Sequence, residues 1–212
     1  MKKLFFAAAL VCAVSVAKAQ APADAIYGVK SGIITMSMDM MGQEIVTETY
    51  FDDYGKKTAQ VSDFGGQKSR TITVDGAQVR IDDAAKTATK MPSFGGMMGG
   101  GMGRPQINWN KLTDQVKKEN NIKELGKETI AGKECTKYSM TMDMMGNQMV
   151  QNIWIYKGIT LKTAMDSDMG SFGQTATKFQ ENVEIKADMF TVPAGVKIEE
   201  MDMSQFGGFG GF

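Results

Sequence analysis

An eleven-residue phrase occurs twice in this chain, as MSMDMMGQEIV from Met36 to Val46 and as MTMDMMGNQMV from Met140 to Val150. Seven of the eleven positions are identical, and the others are conservative exchanges: Ser37/Thr141, Gln43/Asn147, Glu44/Gln148 and Ile45/Met149. Each copy alternates methionine with a small or acidic residue up to a glycine, then opens a second β-rich run, which is the pattern of an antiparallel hairpin. Strand side chains alternate between faces, so Ile34, Met36, Met38 and Met40 share one side while Thr35, Ser37 and Asp39 take the other. In the second copy Tyr138, Met140, Met142 and Met144 lie opposite Ser139, Thr141 and Asp143. The expectation is two hairpins that line one side of a sheet with flexible thioethers.

The rest of the chain extends this β reading. Six short strands are expected at 29–40, 43–53, 56–63, 67–75, 77–82 and 86–91, and five more at 122–130, 133–145, 148–157, 159–167 and 174–185. Gly42, Asp53-Tyr54-Gly55, Gly65-Gly66 and Asp75-Gly76 supply the turns in the first half. On the last strand Thr175, Thr177, Phe179, Val183 and Ile185 are expected to share a face, followed by a short turn at Ala187 to Phe190 and an extended exit. Between the two sets lies a Gly/Met-rich segment, 92–106, with neither helical nor strand period, which reads as a flexible loop. Asn108 then caps one short helix from Trp109 to Lys118, with Trp109, Leu112 and Val116 on one side. Four turn sequences combine Asp, an apolar residue and Gly, near Asp39, Asp63, Asp143 and Asp168. Turn chemistry needs the Asp and Gly but not the Met or Phe, which suggests an apolar rim along one edge of the sheet.

Lys2 and Lys3, the apolar run Leu4 to Val16 and the series Ala17-Lys18-Ala19 have the form of a cleavable export signal, residues 1–19. That run is too short to span a bilayer as a helix, so the mature protein, 20–203 with a Phe/Gly tail at 204–212, is expected in the periplasm rather than in a membrane. Cleavage removes Cys12 and leaves Cys135 alone, which excludes an internal disulfide. Cys135 reads as a small buried residue, although Lys133 and Lys137 share its strand parity. A bulge near Thr136 would reconcile the two.

Composition excludes several functions. The chain has no histidine, and its 24 basic and 24 acidic residues balance. Losing Lys2, Lys3 and Lys18 with the leader makes it weakly acidic, without the basic patch that nucleic acid requires. A histidine-based triad, zinc site or imidazole base is ruled out. The acidic pairs Asp52/Asp53, Asp82/Asp83 and Glu199/Glu200 are adjacent and diverge in an extended chain, and no phosphate loop or dinucleotide fingerprint occurs. The protein reads as a non-enzyme without a cofactor.

Four phrases carry a resemblance: VKSGIIT at Val29 to Thr35, YFDDYGKK at Tyr50 to Lys57, GKETIAGKECTKY at Gly126 to Tyr138 and MFTVPAGVKI at Met189 to Ile198. With some eleven strands and one helix between the sixth and seventh, the chain resembles the LolA/LolB-like periplasmic lipoprotein carriers. In wording it is most similar to a family of exported, uncharacterised Gram-negative proteins assigned to that fold. The resemblance implies a mainly β, strongly curved antiparallel sheet, an incomplete barrel whose concave face is covered by helix and loop and holds acyl chains. No motif of the characterised carriers' functional residues aligns here.

The 19 methionines admit several roles. They fill the core of a curved sheet, since Met adapts to irregular gaps. Alternatively they form an adaptable apolar surface for a lipid, an acyl chain or a similar small molecule. A third role is soft-metal binding, because thioethers select Cu(I) or Ag(I), with same-face methionines ~6.5–7 Å apart along a strand. Oxidation buffering through Met sulfoxide is a fourth. The candidate ligand-binding residues are Met36, Met38, Met40, Met140, Met142 and Met144 on the repeated hairpins, Met97, Met98 and Met102 in the Gly/Met segment, and Trp109 on the helix. The Gly/Met segment and the tail read as low-complexity chain, or as a lid and a contact for a membrane surface or a partner protein.

Overall fold

The computed structural model describes residues 21–40, 42–64, 67–74, 76–91, 107–144, 147–167 and 170–200. The expected leader (1–19), the Gly/Met segment (92–106) and the tail (204–212) lie outside the described residues.

A single sheet of twelve strands dominates. The first meander runs β1 (Gly32–Met40), β2 (Gln43–Asp52), β3 (Lys57–Phe64), β4 (Gln67–Val74), β5 (Ala77–Asp82) and β6 (Thr87–Met91). A 3₁₀ turn (Trp109–Lys111) and helix α1 (Asp114–Glu119) lead into the second: β7 (Ile122–Ile130), β8 (Lys133–Met144), β9 (Asn147–Tyr156), β10 (Ile159–Ser167) and β11 (Gly170–Glu181). A further 3₁₀ turn (Ala187–Phe190) precedes β12 (Lys197–Glu200). The order across the sheet is β12-β6-β5-β4-β3-β2-β1-β11-β10-β9-β8-β7, so β1 and β11 join the two meanders. Every pairing is antiparallel except β12 with β6. All eleven expected strands are present. The twelfth occupies what the sequence suggests is only an extended exit.

The main core crosses more than half of the sheet. It gathers Ile34, Met36, Phe51, Ile130, Cys135, Trp154, Ile159, Leu161, Ala176 and Phe179, which come from the seven adjoining strands β2 to β7 in sheet order. In a flat sheet those strands would spread over ~29 Å. The cluster is continuous across all seven, and the sheet that carries it is curved. Register shifts at Thr35/Met36 opposite β11, at Thr160/Lys162 in β10 and at Glu124/Gly126 in β7 supply the bends. The sheet stays open: β7 and β12 form its two free edges. A second core of Ala59, Ile72, Ile81 and Ala88 lies under Phe190 of the Ala187–Phe190 turn, and Arg70 steadies that turn by donating to the carbonyls of Asp188 and Met189 at 3.0 and 3.3 Å.

Three expectations are corrected. The helix is not continuous from Trp109 to Lys118. Asn108 caps the 3₁₀ turn by accepting from the Asn110 N–H at 3.0 Å, but Leu112 is extended and Thr113 starts α1 afresh by accepting from Val116 at 3.3 Å. Thr113 is as good an N-cap as Asn108, and the chain uses both. The last long strand spans Gly170–Glu181 rather than 174–185. Asn182 takes a left-handed φ of 58° and donates its N–H to Ser31, so Val183 and Ile185 leave the strand. Thr177 is the extra residue at the shift in β11, so the buried residues there are Ala176 and Phe179 rather than Thr175 and Thr177.

Cys135 is fully buried, and burial pushes its thiol pKa up. β8 pairs with β9 without a shift from Thr136 to Met144, and the irregularity nearest Thr136 is on the partner strand β7, between Glu124 and Gly126 opposite Tyr138 and Lys137. The flanking lysines are accommodated by aromatic rings. Lys137 lies 4.8 Å from the Trp154 ring centroid, and Lys133 lies 5.5 Å from that of Phe179 while pairing with Glu181. Their stems cover apolar surface while the ammonium groups find π faces and a carboxylate.

Candidate apolar binding face

The two methionine hairpins do not pair with each other. The β10–β11 hairpin separates them, leaving β1 and β8 four positions apart, ~19 Å in a flat sheet. Met36 is buried in the main core. Met140 is buried in a separate cluster with Ile122, Ile153 and Ile155, over which Ile107, Trp109 and Leu112 pack. Met38 is half-buried on β1. Met40, Met142 and Met144 occupy strand positions, and Met142 pairs with Met149, but their side chains lie outside the described residues. Met97, Met98 and Met102 lie outside them entirely.

Register brings together a set of residues that the sequence pattern alone does not. Ile122, Met140, Gln151, Met165 and Phe172 are successive cross-strand partners from β7 to β11. The next row on the same side is Glu124, Tyr138, Ile153, Thr163 and Gln174. Met36 pairs with Ala176, so alternation along β1 and β11 places Met38 on the side of Gln174. The result is one continuous face across β1, β11, β10, β9 and β8.

Half of this face is covered. Trp109 stacks on Tyr138 with ring centroids 5.4 Å apart at 36°, and Leu112 and Ile107 complete the cover over β7 to β9. The 3₁₀ turn is held in place from below: Asn108 donates to the Ala25 carbonyl, and Gly158 admits Asn110 where a Cβ would come within 2.8 Å of its side chain. Over β10, β11 and β1 the face is uncovered by any described element. Phe172 is 49% exposed, and Met165 and Met38 are half-buried. Large apolar side chains left open beside a covered cluster of the same character mark a surface suited to apolar contact.

Met165, Phe172, Gln151 and Gln174 were not among the sequence candidates. The signal for the first two was the Asp168-Met169-Gly170 turn, whose apolar character resembles that of the methionine repeats. β1, β3, β8 and β10, the strands that precede the four turn sequences of that character, all run in the same direction, so their C-terminal ends lie at one end of the sheet. A cavity of about 300 Å³ lies elsewhere, lined by Lys30, Ser31, Asp52, Asn182, Val183, Glu184 and Ile185. Its charged lining at the opposite end of β1 and β11 suits water better than an apolar chain, so the open face is the stronger candidate.

Electrostatic contacts are concentrated away from this face. Burial opposes the charged form of Glu181, but Lys133 and Lys157 outweigh it and hold the carboxyl below its ordinary pKa. The Trp154 indole N–H, aided by Lys162, does the same for Glu128. Tyr50 donates to Glu48 at 2.7 Å, and that bond pushes its pKa up to about 12. Among the described residues no three His, Cys, Asp or Glu side chains gather as a metal site, and no helix is long and apolar enough to cross a membrane.

No protein-family model matches the sequence, and no curated protein matches it either. Solved structures do. An uncharacterized conserved protein from Thermus thermophilus is similar over 82% of this chain and 91% of its own, with a TM-score of 0.53 and 10% identity. A chain of the Pseudomonas aeruginosa MucA/MucB complex is similar over 77% of this chain and 56% of its own, with a TM-score of 0.49 and 13% identity. The Mycobacterium tuberculosis lipoprotein LppX is similar over 75% of this chain and 91% of its own, with a TM-score of 0.41 and 14% identity. At such identities the likeness to the Thermus protein is one of fold.

Proposed function

We propose that this is an exported, non-enzymatic binding protein that carries a lipid, an acyl chain or a comparable apolar molecule in the periplasm, as a LolA/LolB-like carrier would. The observation that carries the reading is the half-covered face, on which exposed Phe172 and half-buried Met165 and Met38 continue the apolar surface packed under Trp109. Methionine side chains re-pack around ligands of differing shape, which suits a carrier. Each buried methylene contributes ~0.8 kcal/mol, so about twelve acyl carbons supply on the order of 10 kcal/mol before ordering costs.

The test is binding of N-phenyl-1-naphthylamine, a neutral apolar fluorophore, by the purified protein, with native mass spectrometry for co-purified lipid. Phe172→Ser and Met165→Ser should each weaken binding about tenfold, the equivalent of ~1.4 kcal/mol of lost apolar contact. Equal binding by both variants and the parent protein would remove the face from consideration.

A further inference from the structure

The character of the open face also selects the ligand's head group. This inference rests on the reading above and narrows it: we propose that the carried molecule has an uncharged ester or amide head rather than a free carboxylate.

The observations concern charge and unspent hydrogen bonds. The two rows carry one ionisable carboxyl, Glu124, the phenol of Tyr138 and no cation. The lysines of the same strands are turned away or already engaged. Lys137 and Lys162 flank the Trp154 ring on the other side of β8–β9, Lys133 pairs with Glu181, and Lys127 pairs with Glu134. Lys123 pairs with Ser139 and Lys178 with Thr35, one residue out of phase with the face. On the covering segment Lys117 pairs with Asp114, Lys111 is exposed and acts on Asp24, and Lys118 is exposed on α1, over the β7 side. That side is several strand spacings of ~4.8 Å from Phe172.

An ionised carboxylate laid on this face would shed water without meeting a counter-charge among the described residues, at a cost that weakens its binding relative to a neutral head. By contrast, Gln151 and Gln174 lie between the apolar side chains, half-buried, and neither makes a side-chain hydrogen bond among the described residues. Each amide offers a donor and an acceptor, and Thr163 beside them offers a hydroxyl. That set matches an ester carbonyl or an acylated amide, as found in acylglycerols and N-acylated peptides.

The experiment is competition against bound N-phenyl-1-naphthylamine at pH 8 by three ligands of equal chain length: laurate, methyl laurate and N-lauroylglycinamide. The ester and the amide should displace the fluorophore at concentrations at least tenfold below laurate. Gln174→Lys, which supplies the missing cation, should reverse the order. Laurate displacing as well as its neutral analogues would overturn the head-group inference while leaving the apolar face standing. Failure of the fluorophore to bind the parent protein at all would sink both.

Discussion

The Trp154 indole donates a 2.6 Å hydrogen bond to the Glu128 carboxylate, tying β9 to β7 over the intervening strand β8. Lys162 on β10 reaches the same carboxylate at 3.3 Å. One side chain on the edge strand thus collects partners from two inner strands, which holds the edge inward. Trp154→Phe keeps the ring and its lysine neighbours but removes the N–H. Hydrogen bonds to charged groups contribute ~1.5–3 kcal/mol, and partial exposure of Glu128 argues for the lower end. The expected result is a lower urea midpoint with an unchanged m-value.

Gly32 lies directly opposite Phe51, and a Cβ there would come within 2.6 Å of both the Phe51 ring and the Gln180 carbonyl. Gly32→Ala should cost ~1–3 kcal/mol as an overpacked core position. Thermal unfolding would show it. A variant as stable as the parent would mean that Phe51 has another place to go.

Glu181 titrates below the ordinary glutamate value of 4.5 in the folded protein. A group whose pKa is lowered by folding stabilises the fold fully above its unfolded value and loses that contribution as pH falls through its folded value. Stability should therefore decline as pH drops below about 4.5, the ordinary value. Urea titrations at stepped pH should show a flatter acid limb for Glu181→Gln than for the parent.

Cys135 is buried, with a thiol pKa raised by that burial. It should be inert to a thiol-reactive dye in the native protein and react fully in denaturant. Rapid native labelling would show that the β7–β8 edge opens on the timescale of the reaction.

Strand-level organisation was largely legible because period-2 alternation and turn residues are local signals. Ala77, Val79 and Ile81 and the Asp75-Gly76 turn needed no tertiary information. What failed was non-local or competitive. Thr177 bulges in response to its partner strand, Asn182 takes its left-handed φ in contact with Ser31, and β12 exists only because β6 offers an edge. The candidate face was half legible: Met38, Met140 and Trp109 followed from periodicity and the helix pattern. Met165, Phe172 and the two glutamines join them only through cross-strand register, which local pattern does not encode. The same register explains why the repeated hairpins, alike in wording, end in different clusters.

The seam between β1 and β11 has a kinetic consequence. Its partners, such as Ile34 and Phe179, are far apart in sequence, and distant pairings form slowly because loop closure precedes any gain in contact. A chain that emerges from the ribosome N-terminus first completes the first meander before residues 170–181 have been made. Until they arrive, β1 presents an unpaired edge flanked by apolar side chains that will later be core, the kind of template on which other chains pair wrongly. The part of the protein that folds first must wait with one side open for the part that closes it.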